Sequence, residues 1–215
     1  MRARIPVARE GWPFILVPAV AASVVWAVGW GSPAPTVGGG LLAGLAVACL
    51  FFFRDPERTP PAVPGAVLAP ADGRVREVLE LPDPFVGEAV RVSIFLSPLD
   101  VHVNRSPIAA LVTDVEYRPG RFLAAYRSQA SEQNERWTLR LQGESARVTV
   151  SQIAGVLARR VVCRARPGDK LRAGERFGLI RFGSRTDLFL PKGTMLRCRS
   201  GDRVRGGETI IGVLR

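Results

Sequence analysis

The sequence predicts a mainly β, barrel- or sandwich-like domain of short strands, preceded by an N-terminal hairpin of two apolar α-helices. Three observations carry this. Two long uncharged runs lie together at the amino end, and short alternating apolar runs follow them. The chain also holds 22 glycines and 17 prolines in 215 residues, too much punctuation for long helices beyond that end.

The first run, Trp12 to Trp30, has no charged residue in 19 positions, and Val37 to Phe53 adds 17 more. As helices they reach roughly 28 Å and 25 Å, close to the hydrocarbon thickness of a bilayer. Between them, Gly31-Ser32-Pro33-Ala34-Pro35-Thr36 is a breaker cluster long enough only for a tight reversal. Trp12, Trp26 and Trp30 suit interfacial anchoring. Arg2, Arg4 and Arg9 precede the pair, and Arg54 and Arg58 follow it. The positive-inside rule puts both flanks on the cytoplasmic side. Residues 1–53 therefore read as a membrane-associated hairpin, spanning or re-entrant, and 54–215 as a β-rich domain at the cytoplasmic face of the cell membrane. A cleaved signal peptide fits less well, because a second apolar run follows at once and no small-x-small site precedes it. Buried core helices would carry more wet positions.

After Arg54 the apolar runs shorten. Val90 to Leu96 alternates and closes as a strand. Trp137–Leu141 and Ala146–Val150 read as a hairpin around Gln142-Gly143-Glu144-Ser145, and Phe177 to Ile180 as another strand. Ile153 to Cys163 fits either a short helical turn or a strand ending in Val161-Val162. Near the end the chain repeats itself: residues 167–175 resemble 200–208, each a Gly-Asp turn, a short strand and a Gly before Glu. Small barrels of the lipoyl-carrier type share this pattern, and Pro191-Lys192-Gly193 offers a lysine at a turn. Its flanks are not those of a carrier, so Lys192 reads as a solvated turn residue.

The balance of 30 Lys+Arg against 19 Asp+Glu gives a net charge of +11, with Lys170 and Lys192 the only lysines. Such a chain seeks anions: nucleic acid, an acidic membrane face or an anionic substrate. Codon usage favouring arginine is the plain alternative. A single-strand nucleic-acid binder would interleave aromatic platforms with arginine, whereas Tyr117, Tyr126 and Trp137 are scattered. Cys49, Cys163 and Cys198 form no Cys-x-x-Cys pair, which argues against a zinc site and a disulfide framework and for a reducing compartment. His102 is the only histidine, which excludes a metal centre that needs two imidazoles. Three polar places remain as candidates: Asp72 in an Asp-Gly turn, His102 between two Ser-Pro breakers, and the Gly183-Ser184 turn after Phe177–Ile180. Each alone is an ordinary structural feature.

Taken together they are more specific. Phe51-Phe52-Phe53-Arg54-Asp55-Pro56-Glu57-Arg58, Pro70-Ala71-Asp72-Gly73, Leu96 to Pro107, Gln152-Ile153-Ala154-Gly155 with Ala158-Arg159-Arg160, and Phe177 to Arg185 occur in this order. The series resembles the phosphatidylserine decarboxylase family in its short bacterial and archaeal form, over roughly residues 48–215. The resemblance implies a proenzyme that cleaves itself between Gly183 and Ser184 into a large subunit, 1–183, and a small one, 184–215. Ser184 would become a covalent pyruvoyl group, with no metal and no pyridoxal phosphate. That group would form a Schiff base with phosphatidylserine and release carbon dioxide and phosphatidylethanolamine. The two cleavage products would form a heterodimer, open to further association, and no nucleic-acid partner is implied. Asp72 matches the aspartate of the family's Asp-His-Ser processing set. Long bacterial members carry two histidines in an Asp-Tyr-His-x-x-His pattern; here the second position is Arg105. Either His102 serves both in processing and as proton donor after decarboxylation, or Arg105 and Asp72 share the work. The rival reading is a membrane-anchored β-barrel adaptor in which Gly183-Ser184 is a plain turn.

Overall fold

The computed structural model describes residues 6–29, 32–123, 133–155, 160–181 and 184–214. Arg2, Arg4, Trp30, Gly31, Tyr126, Ala158, Arg159, Phe182 and Gly183 lie outside the described residues. The chain divides into two compact units, Met1–Glu57 and Arg58–Arg215.

The first unit holds two helices, α1 (Trp12–Val28) and α2 (Pro33–Phe52). At 1.5 Å per residue they are about 26 Å and 30 Å long, and on length and composition both can cross a membrane. Val17, Val20, Val24, Leu41, Leu45 and Val47 are exposed on their flanks. The reversal is shorter than the breaker cluster suggested, because Pro33 opens α2. Proline has no N–H to lose in a first turn, and its fixed φ suits that position, so Pro33 and Pro35 start the helix and do not delay it. Trp26 Nε1 donates to the Thr36 carbonyl at 3.2 Å, tying the two helices at their tips. At the other end Ala8 N–H donates to Phe53 O and Asp55 N–H to Pro6 O, which keeps residues 53–55 with the hairpin.

The second unit is built from short strands. Eight of them form one antiparallel sheet in the order β13-β2-β3-β11-β7-β6-β5-β9. Their ranges are β2 Gly73–Glu80, β3 Ala89–Leu96, β5 Ala110–Arg118, β6 Arg136–Gly143, β7 Arg147–Ile153, β9 Lys170–Leu171, β11 Ser184–Pro191 and β13 Arg203–Val204. Two three-stranded sheets complete the unit: β1 (Ala66–Leu68) with β14 (Ile210–Val213) and β12 (Met195–Leu196), and β4 (Val103–Arg105) with β10 (Arg176–Ile180) and β8 (Val161–Cys163). The 153–163 segment thus ends in a strand, with residues 156–159 outside the described set.

Period-2 alternation decides which face is buried. Val92 and Ile94 of β3, Leu188 and Leu190 of β11, Val148 and Val150 of β7, and Leu139 and Leu141 of β6 are all fully buried in one core cluster. The internal repeat has a structural meaning that the sequence did not show. Its two copies supply β9 and β13, the short strands at opposite edges of the large sheet. Asp169 Oδ2 accepts from Arg166 N–H, as Asp202 Oδ2 does from Arg199 N–H. Strands of two residues leave little open edge for another chain to pair with. Lys192 pairs with Glu80 at 2.9 Å, and that partner raises its pKa.

Two glycines at the pairing of β2 with β13 behave differently under substitution. Gly201 has φ +96° and open space around a built Cβ, whereas Gly73 has φ +152° and a Cβ there would lie 2.1 Å from the Phe95 carbonyl oxygen. Gly201→Ala should cost about 1 kcal/mol, the backbone penalty alone. Gly73→Ala should cost several times that, because backbone must move. Urea unfolding midpoints of the two variants check the difference.

Candidate active site

Strand β11 begins at Ser184, directly opposite Leu96 at the end of β3. Along β11 the even residues Ser184, Thr186, Leu188 and Leu190 share one face by alternation, so Ser184 is the polar end of an apolar row. The Ser184 side chain is 0% exposed, and its Oγ has no hydrogen-bond partner among the described residues. A buried hydroxyl left unsatisfied costs about 1–3 kcal/mol, so its position calls for a chemical reason. On the opposite face Arg185 bonds Asp187 at 2.6 Å, Glu77 at 2.5 Å and Ser93 Oγ at 2.6 Å. These ties, with a full ladder to β3, fix where β11 starts.

Beyond Leu96 the chain makes a tight turn organised by one carboxylate. Asp100 Oδ2 accepts from both the N–H and the O–H of Ser97, each at 2.8 Å, and Oδ1 accepts from Arg203 at 2.9 Å. The turn delivers His102 to the interior, where it is 0% exposed. Its Nδ1 lies 2.9 Å from the Asp100 backbone carbonyl. A carbonyl can only accept, so Nδ1 carries the hydrogen and the neutral ring presents Nε2 as its basic nitrogen. The His102 carbonyl in turn accepts from Ile180 N–H at 3.2 Å, at the last residue of β10. Histidine and serine are therefore attached to the same short stretch of chain, Ile180 to Ser184.

The Pro70–Gly73 turn joins this assembly from a third direction. Pro70 O accepts from Arg105 N–H at 2.9 Å and from Asn104 Nδ2 at 3.3 Å. Asp72 Oδ1 accepts from Gly206 N–H at 2.8 Å, and Oδ2 from Arg58 at 2.9 Å. Arg58 also reaches Glu208 at 2.6 Å. Asp72 thus clamps its turn to the second copy of the repeat. Arg105 is 3% exposed and gives one N–H to the Gly174 carbonyl at 3.1 Å, while its neighbour Asn104 reaches Thr186. Gly183 lies outside the described residues.

Three further residues carry a buried polar chain that sequence reasoning missed. Asn104 Nδ2 donates to Thr186 Oγ1 at 3.2 Å, and Gln152 Nε2 donates to Asn104 Oδ1 at 2.7 Å. Because Pro70 O only accepts, Asn104 must turn Nδ2 towards it, which forces Gln152 to offer Nε2. Gln152 Oε1 is then left without a donor among the described residues. Gly178 makes room for this amide, since a Cβ there would lie 2.7 Å from Nε2. The signal was present in the sequence as polar residues at inward positions, Gln152 after Val148 and Val150, and Thr186 before Leu188 and Leu190. Among the described residues no group of three His, Cys, Asp or Glu side chains gathers as metal ligands.

The model of the family described as phosphatidylserine decarboxylase matches residues 45–212. The chain belongs to the phosphatidylserine decarboxylase family. It is 51% identical over 211 residues to a phosphatidylserine decarboxylase proenzyme of Symbiobacterium thermophilum, covering 97% of this chain and 95% of that one. It is 47% identical to a proenzyme of the same name from Chlorobium phaeobacteroides, over 80% of this chain and 81% of that one. A third, from Nitrosomonas eutropha, is 44% identical over 97% of this chain and 95% of its own length. In this member of the phosphatidylserine decarboxylase family, the matched range spans the segments that carry Asp72, His102 and Ser184.

The Ser97–Asp100 turn is the local device that aims His102. Asp100→Ala would leave Ser97 N–H without its acceptor and release Arg203, at a cost of about 1–3 kcal/mol. A lowered denaturation midpoint for Asp100→Ala, with Leu99→Ala near the parent value, is the expected result.

Proposed function

We propose that this chain is a phosphatidylserine decarboxylase proenzyme that cleaves itself between Gly183 and Ser184. The observation that carries the reading is the Ser184 hydroxyl: fully buried, at the first position of a central strand, and without a partner among the described residues. The word proenzyme in the names of its relatives agrees with it.

In the processing step His102 Nε2 takes the Ser184 Oγ proton, and Oγ attacks the Gly183 carbonyl carbon. The Gly183–Ser184 amide bond breaks as the ester forms, and the Ser184 nitrogen leaves as an amine after gaining a proton. Loss of the Ser184 Cα proton expels the Gly183 carboxylate, and water then replaces the nitrogen, which departs as ammonia. The fit of the site to a pyruvoyl group rests on Ser184 itself, whose atoms supply it, and on the dry surroundings of Leu96 and Ile180, both 0% exposed. That group would supply a ketone able to take up an amine and to accept the electron pair left when carbon dioxide departs. The apolar surroundings favour loss of a carboxylate charge and keep water from the reacting atoms. His102, protonated at Nε2, is the proton donor that the assembly offers at this place. Asp72 and Arg105 hold the backbone around it through Gly206, Arg58 and Gly174.

The topology suits a cut chain. The small product, 184–215, contains β11, β12, β13 and β14 and so contributes to two of the three sheets. β11 lies between β3 and β7, so the two products would stay interlocked as a heterodimer after the bond breaks. The two apolar helices support a place at the cell membrane, with the β-rich unit on the cytoplasmic face, where a phospholipid substrate is within reach.

The test is conversion of phosphatidylserine in vesicles to phosphatidylethanolamine by the purified full chain. Ser184→Ala should give no product, and His102→Ala should slow product formation by about a hundredfold or more. Full activity in Ser184→Ala would remove Ser184 from the chemistry, and no product from the parent chain would remove the reading in favour of a non-catalytic membrane-anchored adaptor.

A further inference from the structure

One rung of the large sheet, next to the rung that holds Ser184, is unusually basic. The ladder pairs Arg203 with Arg74, Arg74 with Phe95, Phe95 with Arg185, Arg185 with Ile153, Ile153 with Arg136, and Arg136 with Arg118. Five of these seven residues are arginines, and paired residues in a ladder share a face. Arg185 is buried in its ion pairs, but Arg74 is exposed, the Arg203 side chain is 71% exposed and that of Arg118 56%. The loops at this end add Arg121 and Arg160, both exposed. The carboxylates here are less exposed than the arginines: Asp100, which pairs with Arg203, is buried, and Asp72, Glu116 (paired with Arg118), Glu135 and Asp202 are half-buried. The far end of the same sheet is balanced, with exposed Glu80, Glu88, Glu144 and Asp169 against Lys192, Arg147, Lys170 and Arg166.

The basic end also carries exposed apolar tips. Leu99 is 69% exposed in the turn that follows Leu96, and Phe122 is 38% exposed beyond the end of β5. Beside Leu99 lies a cavity of about 250 Å³ lined by Arg74, Arg76, Phe95, Ser97, Asp100 and Arg203. Apolar tips ringed by arginine match the two layers of an anionic bilayer, acyl chains below and phosphates above. We infer that the Ser184 end of the large sheet is the face that this unit lays on an anionic lipid bilayer, with Leu99 below the headgroups and Arg74, Arg118 and Arg203 on the phosphates. This deepens the proposed function, since it brings the segment around Ser184 to the surface where a phospholipid lies.

The experiment uses the full chain with Cys49→Ala and a single introduced cysteine, Leu99→Cys or Glu88→Cys, bearing a polarity-sensitive fluorophore. Burial pushes the Cys163 and Cys198 thiols up to about 11, so both stay protonated and label slowly at neutral pH. Vesicles combine phosphatidylglycerol with phosphatidylcholine brominated on its acyl chains as quencher. The label at position 99 should be quenched and that at position 88 should not. Changing Arg74, Arg118 and Arg203 to Gln should weaken docking about fivefold per residue, and quenching at 99 should fall accordingly. An unquenched label at 99, equal quenching at both positions, or quenching at 99 that ignores all three substitutions overturns the inference. Product assay on the same vesicles with phosphatidylserine added separates the two readings: quenching without phosphatidylethanolamine formation leaves the docking face standing and removes the decarboxylase.

Discussion

The 2.9 Å contact between His102 Nδ1 and the Asp100 carbonyl is the interaction on which the rest of the site depends. It decides the tautomer, and with it which ring nitrogen is basic. It exists because the Asp100 side chain, through two bonds to Ser97, bends the chain back immediately after β3. The same β3 end faces Ser184 across the ladder. One turn of four residues therefore sets the tautomer of His102 and carries it inward from the strand end that faces Ser184. Nothing about the imidazole needs a carboxylate side chain at Nδ1, since a backbone carbonyl does the same work without adding a charge to a dry interior.

The large sheet supplies rigidity from both faces. Inward residues of β3, β6, β7 and β11 build a continuous apolar core, while on the other face Arg185 ties β11 to Glu77 on β2 and Ser93 on β3. At the Ser184 end this inner face changes from Leu188 and Leu190 to Thr186 and Gln152, which bond Asn104 on β4. On this inner face, the buried side-chain atoms without a partner among the described residues, Ser184 Oγ and Gln152 Oε1, both lie at that end. Such atoms are tolerated where chemistry uses them.

Much of this was legible in the sequence. Alternation located β3, and short apolar runs set off by turn residues located β6, β7 and β10. The order of five weak motifs named the family. Three things were not legible. Pro33 and Pro35 read as a break, although proline at a first turn opens a helix as readily as it ends one. The repeat was visible, but its place at the two edges of one sheet depends on pairings with β2 and β5, far away in sequence. The clamp between Asp72 and Gly206 spans 134 positions, and no local pattern encodes it.

The account stands or falls on Ser184 being a point of chain cleavage, and the intact mass of the purified, denatured protein reports this directly. The account predicts two chains, 1–183 and 184–215, with the smaller lighter than its sequence by one ammonia. A single chain of full mass, from protein folded well enough to unfold cooperatively, would contradict it and leave Ser184 as a buried hydroxyl at the start of a strand.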